Sequence, residues 1–265
     1  MDYSNLIYCF VFLFGLVIGS FLNCVIYRLE EEKSFLKGRS FCPSCKHILS
    51  WADLVPVLSF IFLGGKCRYC NKKISWQYPL VELVTGTLFL LIFLKFGGWN
   101  LEPFYYLLIS SLLIIVFVFD LKHYIIPDGV IYTAIVISLL YNLAYSFFLI
   151  SNPQSLIQPL LAAFVAAGFF LLIVLISKGQ WMGVGDIKLA FLMGLFLGWP
   201  NILVALFLAF FIGAVVGIGL IILKKKGLKS EVPFGPFLTI GTFLALFFGG
   251  EMLAWYFSLF FGRII

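Results

Sequence analysis

Polar and apolar residues along this chain occur in long blocks rather than in short periods. Eight apolar stretches, most of them about 20 residues long, are separated by polar segments. An α-helix needs about 20 apolar residues to cross the hydrocarbon core of a bilayer. The pattern therefore predicts about eight transmembrane helices, near residues 6–27, 78–95, 104–120, 130–150, 159–177, 187–198, 202–223 and 237–261.

The composition indicates the same fold class. Hydrophobic residues make up 63% of the 265 residues and charged residues only 11%, which lies outside the range of soluble globular domains. The sixth stretch is short and is separated from the seventh only by Trp199-Pro200-Asn201, so this pair is predicted to form a tight helical hairpin. We predict an all-α polytopic membrane protein with a small loop domain outside the membrane.

The Lys and Arg residues predict the orientation, because loops on the cytoplasmic side carry an excess of them. Sixteen of the eighteen fall in loops on one predicted side, the exceptions being Lys95 and Arg263. This distribution predicts that both chain termini lie outside and that the largest loop is cytoplasmic. The net charge of +6 is then a result of membrane topology. No basic strip interleaved with aromatic residues indicates binding to nucleic acid.

Three parts of the chain are expected to differ in role: an N-terminal anchor (1–27), a cytoplasmic loop (28–77) and a seven-helix remainder (78–265). No basic segment precedes the first apolar stretch, so we expect a retained anchor rather than a cleaved signal peptide. Within the loop, the apolar segment from Leu54 to Leu63 is too short to span a bilayer. It is predicted to lie along the membrane interface.

Four cysteines organise the predicted loop. The knuckle Cys42-Pro43-Ser44-Cys45 is followed, after 21 residues, by the knuckle Cys67-Arg68-Tyr69-Cys70. Two Cys-x-x-Cys knuckles can supply four thiolates in a tetrahedron, which suits zinc. Lasting disulfides are not expected in a cytoplasmic loop, and redox cysteines are the weaker alternative. A closed four-sulfur site would fold the loop and would not perform catalysis.

Two aspartates lie at the ends of predicted spans. Asp120 ends the third, and Asp186 precedes the sixth within Gly183-Val184-Gly185-Asp186. Ionisable groups in spans cost roughly 2.5–3.5 kcal/mol, so they usually mark a functional site. Both aspartates are predicted at the cytoplasmic face, where two close carboxylates can hydrolyse a peptide, one as base and one as acid. Glycines at 183 and 185 would let the backbone turn or approach closely before Asp186.

Six short motifs occur in a fixed order between about residues 15 and 240. They are Gly19-Ser20-Phe21-Leu22-Asn23, the paired cysteines around Trp51-Ala52-Asp53-Leu54-Val55-Pro56, Tyr78-Pro79-Leu80-Val81-Glu82-Leu83, Asp120 with Ile126-Pro127-Asp128, Gly183-Val184-Gly185-Asp186-Ile187-Lys188, and Pro233-Phe234-Gly235-Pro236. Each motif is weak alone. As an ordered set covering nearly the whole chain, they resemble the type IV prepilin peptidases.

The resemblance implies a two-activity enzyme of the bacterial inner membrane. Such enzymes cut the basic leader from type IV prepilins or pseudopilins after a glycine, at the cytoplasmic face. They then methylate the new N-terminal amine with S-adenosylmethionine. Carried over to this chain, Asp120 and Asp186 form the catalytic pair, and the presence of both cysteine knuckles favours the two-activity form.

Four further residues in matching motifs are candidates for contacting the peptide or the methyl donor: Asp53, Glu82, Gly183 and Gly185. For Glu82 the alternative role is an interaction with the positive end of its helix. The sequence carries no glycine-rich nucleotide loop of the Rossmann type, so a conventional methyltransferase domain is not expected. By elimination, the loop at 28–77 is the expected platform for S-adenosylmethionine.

Structural roles are expected for several other residues. Asp128, after Pro127, is predicted to cap the fourth span, and Glu251 is predicted to be a buried hydrogen-bonding group in the last. Gly15 and Gly19, and likewise Gly213 and Gly217, have the spacing of small residues that lets helices pack closely. Packing within the chain is favoured over a dimer interface, and the sequence does not define the oligomeric state.

Three other function classes remain open at this stage. A transporter or channel could use Asp120, Asp186 and Glu251 as an ion or proton relay, with the acids at several depths. A peptidase-only intramembrane aspartic protease could share the Gly-x-Gly-Asp motif but would not need the cysteine loop. A zinc-organised assembly scaffold would tolerate loss of both aspartates.

Overall fold

The chain folds into helices in a computed structural model that describes residues 3–32, 38–98, 100–149, 152–223 and 232–261. Within these ranges there are nine α-helices and no β-strand. They are α1 (Tyr3–Glu30), α2 (Leu58–Phe62), α3 (Gln77–Phe96), α4 (Leu101–His123), α5 (Asp128–Ala144), α6 (Ile157–Ser177), α7 (Val184–Leu197), α8 (Asn201–Ile222) and α9 (Gly235–Phe261). The predicted all-α class is confirmed.

Seven of these helices, α1, α3, α4, α5, α6, α8 and α9, are long and apolar enough to cross a membrane. The predicted sixth span is also helical, as α7, but it contains only 14 residues. At 1.5 Å per residue it is about 21 Å long, less than the ~30 Å of a hydrocarbon core. All eight predicted stretches therefore form helices, and the sixth is too short to span the core alone.

The short helix α7 is surrounded by other helices of the protein. Leu189, Ala190, Leu192 and Met193 are fully buried. The helix packs against α5, α6 and α9. At Gly194 the backbones of α6 and α7 approach so closely that an added Cβ would overlap the backbone of Ala163. Contact with protein replaces contact with lipid along α7.

The chain forms two compact units, Met1–Ile115 and Val116–Ile265. In the first unit α1 and α3 pack along each other through glycines. A Cβ on Gly15 would lie 2.8 Å from the Cα of Gly86, and a Cβ on Gly19 would lie 2.7 Å from the Cα of Glu82. The predicted role of Gly15 and Gly19 in packing within the chain is confirmed. The prediction for Gly213 and Gly217 in the second unit is not: a Cβ on Gly213 would lie 3.4 Å from the rings of Phe234 and Phe237, and one on Gly217 would meet no described atom within 4 Å.

Replacing Gly194 with alanine should destabilise the protein, because the new methyl group would overlap the backbone of α6, which cannot rotate away as a side chain can. Overpacking of this kind costs about 1–3 kcal/mol, and we expect a lower midpoint of thermal unfolding in detergent. The matched control is Gly168→Ala in α6, where an added Cβ meets no atom of the described residues within 4 Å. Equal midpoints for the two variants would contradict the close packing of α6 and α7.

Candidate functional site

The site begins with Asp120, which lies in the last turn of α4 and is only 4% exposed. Its carboxylate accepts a hydrogen bond from the backbone N–H of Gly235, the first residue of α9. The first N–H groups of a helix have no partner within the helix and carry partial positive charge. The carboxylate therefore lies against the positive end of α9.

Glycine is required at position 235 by this contact. A Cβ built on Gly235 would lie 2.5 Å from Oδ2 of Asp120 and 3.2 Å from its Cγ. A larger residue would push the start of α9 away from the carboxylate. Gly235 belongs to the motif Pro233-Phe234-Gly235-Pro236, for which the sequence predicts no role of its own. Its local signal is a glycine flanked by prolines at 233 and 236 at the start of an apolar stretch.

Asp186 is the third residue of α7 and is 8% exposed. Its Oδ2 accepts a hydrogen bond from the backbone N–H of Gly183 at 3.2 Å, which satisfies one unpaired donor at the helix start. On the other side of the turn, a Cβ on Gly185 would lie 3.1 Å from the Cβ of Ile126. Gly185 thus lets the first turn of α7 pack closely on the turn between α4 and α5, whereas a Cβ on Gly183 would make only ordinary contacts, the nearest at 3.9 Å.

Asp120 and Asp186, 66 positions apart in sequence, lie close enough in the second unit for their charges to interact. Both carboxylates are buried, and each receives a backbone N–H from the start of a helix. Burial and mutual repulsion oppose ionisation of both carboxylates at once, an arrangement that favours one proton shared by the pair. One group can then act as a base while the other acts as an acid.

The four cysteines of the loop also meet. Their sulfur atoms all lie within 4.8 Å of one another, and the sulfurs of Cys42 and Cys70 are 3.9 Å apart. Zn–S bonds of about 2.3 Å in a tetrahedron place sulfur atoms about 3.8 Å apart. The cluster therefore has the donor set and the size of a zinc site.

The two knuckles have the same backbone geometry. The carbonyl of Cys42 accepts the N–H of Lys46, and the carbonyl of Cys67 accepts the N–H of Asn71, both at 2.9 Å. Lys46 and Asn71 both have left-handed backbone angles, with φ of 59° and 58°. Each knuckle thus turns tightly around its first cysteine, which is buried.

Charge around the sulfur atoms is distributed unevenly. Burial opposes ionisation of Cys42, but the backbone N–H groups of Cys45 and Ser44 donate to its sulfur, and together these effects lower the pKa to about 7. A hydrogen bond from the backbone of Lys72 lowers the pKa of Cys70. Burial and hydrogen bonds with the neighbouring sulfurs raise it, and the net result is a pKa of about 11 for Cys70. A cation would remove this conflict by binding all four sulfurs as thiolates.

Asp53 connects the segment between the knuckles to the second knuckle. Its Oδ2 accepts hydrogen bonds from the backbone N–H and hydroxyl of Ser50, at 3.0 and 2.7 Å, and from the hydroxyl of Tyr69 at 3.3 Å. Its Oδ1 lies 2.8 Å from Nε of Arg68. Burial raises the pKa of Asp53, but the bonds from Ser50 and the charge of Arg68 outweigh it and leave the pKa lowered. These contacts give the carboxylate a structural role, and its contact with a ligand stays a prediction.

Glu82, in the second turn of α3, fixes the apolar segment of the loop. It is 7% exposed, and its Oε2 accepts the backbone N–H of Val57 at 2.7 Å. The hydroxyl of Ser20 in α1 also hydrogen-bonds to it. Val57 has φ of 60°, a rare value for a β-branched residue, and begins α2. The segment predicted to lie along the interface is therefore attached at its start to a carboxylate inside the predicted second span.

Two other acidic residues differ from their predicted roles. Asp128 begins α5, but its side chain makes no capping hydrogen bond there and instead lies 2.6 Å from Nζ of Lys188. Glu251 is exposed rather than buried, so the prediction of a buried group is wrong. It borders a cavity of about 480 Å³ between α8 and α9. The cavity is otherwise lined by Leu208, Leu244, Phe248, Met252 and Trp255.

Comparison with known proteins connects both sites to one family. Residues 13–96 match the model of the bacterial Peptidase A24 N-terminal domain, and residues 107–218 match that of the type IV leader peptidase family. No solved structure matches the chain.

Three relatives, each named prepilin leader peptidase/N-methyltransferase, match over nearly the whole chain. The relative from Aeromonas hydrophila is 33% identical and covers 95% of this chain and 94% of its own. The relative from Bacillus subtilis is 38% identical over 93% and 96%, and that from Legionella pneumophila is 30% identical over 97% and 96%. With the buried aspartate pair and the four-cysteine cluster in place, the chain belongs to the type IV prepilin leader peptidase family.

Proposed function

We propose that this protein removes the leader of type IV prepilins or pseudopilins after a glycine and then methylates the new N-terminal amine with S-adenosylmethionine. The observation that carries the proposal is the buried pair of Asp120 and Asp186, each held by a helix start. The full-length similarity to relatives that bear both activities in their name supports the second step.

In the cleavage step, the ionised member of the pair takes a proton from a water molecule while the water oxygen attacks the scissile carbonyl carbon. The protonated member donates its proton to the carbonyl oxygen. As the C–N bond breaks, the leaving amine takes up the proton that the base received, and one hydroxyl of the tetrahedral intermediate returns its proton to the other aspartate. The pair is thereby restored with one ionised and one protonated member. The N–H groups of Gly235 and Gly183 hold the two carboxylates in place throughout, so little reorganisation accompanies the reaction.

The methylation step is assigned to the loop of the first unit. Cys42, Cys45, Cys67 and Cys70 would hold a structural zinc ion that folds the loop. S-adenosylmethionine supplies the methyl group that the new amine accepts. Asp53 and Glu82 keep the loop in shape, and contact of either carboxylate with the donor or the peptide is part of the proposal, as is contact of Gly183 or Gly185 with the peptide.

The protein acts at the bacterial inner membrane, with the aspartate pair facing the cytoplasm and both termini outside. This orientation rests on the Lys and Arg distribution. A relay through the membrane is less well supported, because Asp120 and Asp186 meet at one place while Glu251 borders an apolar cavity. The lipid bilayer and the prepilin are the partners that the proposal requires.

Changing Asp120 or Asp186 to asparagine should reduce leader removal by about 10²–10⁴-fold, because the shared proton is lost. Mass spectrometry of a prepilin incubated with purified protein and S-adenosylmethionine measures cleavage and methylation together. Glu251→Gln is the control, since it removes an exposed carboxylate away from the pair and should leave cleavage unchanged. Substantial cleavage by Asp120→Asn or Asp186→Asn would remove that residue from the catalytic pair.

Gly235→Ala should abolish most leader removal, because the added methyl group would displace α9 from the Asp120 carboxylate. Methylation of a leader-free peptide should continue, since this substitution leaves the loop unaltered. Gly129→Ala in α5 is the matched control, because an added Cβ there meets no described atom within 4 Å. Wild-type cleavage by Gly235→Ala would show that the hydrogen bond from Gly235 does not support the reaction.

Cys42→Ser should lower the zinc content and impair methylation, and removal of the metal with a chelator should have the same effect. Because the sulfurs would bind zinc as thiolates, protons compete with the metal, and bound zinc should also fall when the solution is made acidic. Metal analysis and the methylation assay measure these changes, with Cys9→Ser in α1 as the control. Full methylation by a protein that contains no metal would contradict a structural zinc site.

A further inference from the structure

A second polar contact holds the start of α7, apart from the aspartate pair. Nζ of Lys188 lies 2.6 Å from Oδ1 of Asp128 and 4.8 Å from the centroid of the Tyr132 ring. Asp128 and Tyr132 are four residues apart, so they lie on one face of the first turns of α5. The ammonium group of Lys188 therefore joins the first turn of α7 to the start of α5 through an ion pair and a cation–π contact.

Each end of this contact lies a short distance along the chain from a catalytic candidate. Lys188 follows Asp186 by two residues, and Asp128 follows Asp120 by eight. The chain between Asp120 and Asp128 is a compact corner.

Three features keep that corner fixed. The N–H of Tyr124 donates to the carbonyl of Asp120 at 2.9 Å, and Ile126 is 7% exposed. Ile126 also packs against Gly185, the residue directly before Asp186. The corner that ends at Asp128 is thus in contact with the backbone of α7 on one side and tied to Lys188 on the other.

We propose that the ion pair of Lys188 and Asp128 sets the separation of Asp120 and Asp186. This inference rests on the proposed peptidase function. Both members of the ion pair are positioning residues: they act through the start of α7, which carries Asp186, and through the corner that joins Asp120 to α5, and they do not touch the reacting atoms. Tyr132 confines the ammonium group to the side of α5 on which Asp128 lies.

A positioning role can be distinguished from a general role in stability by comparing the loss of kcat with the loss of folding free energy. The side chain of Asp128 is 64% exposed and that of Lys188 is 22% exposed. Exposed ion pairs contribute about 0–1 kcal/mol to folding. Misplacement of a catalytic group by about 1 Å can reduce the rate by about 10²-fold. Loss of the pair should therefore change kcat much more than it changes unfolding.

The test uses Lys188→Met, Asp128→Asn and the double variant, each as full-length protein in detergent. We expect kcat for leader removal to fall about 10- to 100-fold in each single variant, with KM unchanged and the unfolding midpoint lowered by no more than about 4 °C. The double variant should be no slower than the slower single variant, because one interaction is lost in all three. Lys188→Arg should retain most of kcat.

Two controls accompany these variants. Lys178→Met removes an exposed lysine at the end of α6 and should leave kcat unchanged. Asp186→Asn tests the proposed function itself: cleavage by that variant would reject the catalytic pair, whatever the behaviour of Lys188.

Three results would overturn the inference. The first is wild-type kcat in both single variants, and the second is a double variant whose loss equals the product of the two single losses. The third is a kcat in Lys188→Arg as low as in Lys188→Met. If Lys188→Met fails to fold, Lys188→Arg and Asp128→Glu are used instead, because both variants keep the charges of the pair. A loss of kcat in Asp128→Asn but not in these two variants supports the inference. An equal loss of kcat in all three rejects it.

Discussion

The removal of two carboxylates from water is the constraint on which the second unit depends. A buried carboxylate loses its hydration, and nearby negative charge increases that cost. Asp120 and Asp186 recover part of the loss from N–H groups that begin α9 and α7, where the helix has donors without partners. The two helices must therefore start at the same place in the unit. That requirement explains why glycines occupy the closest approaches around the pair.

Local patterns in the sequence predicted much of the architecture. The spans follow from apolar length, since in lipid a backbone must satisfy its own hydrogen bonds and a helix does so within one segment. The four-cysteine cluster follows from the spacing of Cys42, Cys45, Cys67 and Cys70, because each knuckle is a local turn and only the joining of two knuckles is long-range. Asp120 and Asp186 could be paired because their chemistry is incompatible with isolation in a membrane.

The remaining features depend on contacts between residues distant in sequence, which no local pattern contains. Asp128 has the sequence context of a helix cap, yet it pairs with Lys188, which is 60 positions away. Gly235 gives no sign from its neighbours that it faces a carboxylate. Glu251 lies in an apolar stretch, but whether such a residue points inward or outward is decided by helix rotation, and here it borders a cavity.

The bond between Glu82 and Val57 has a mechanical consequence for the first unit. Glu82 belongs to α3 and hydrogen-bonds to the hydroxyl of Ser20 in α1. It also accepts the N–H of Val57, the residue with positive φ directly before α2. The cysteine loop is thereby attached to the pair of α1 and α3 by an internal hydrogen bond as well as by its chain connections. A tilt or sliding of these two helices, for example in a bilayer of different thickness, would act on the loop through Glu82 and Val57 as well as through the chain itself.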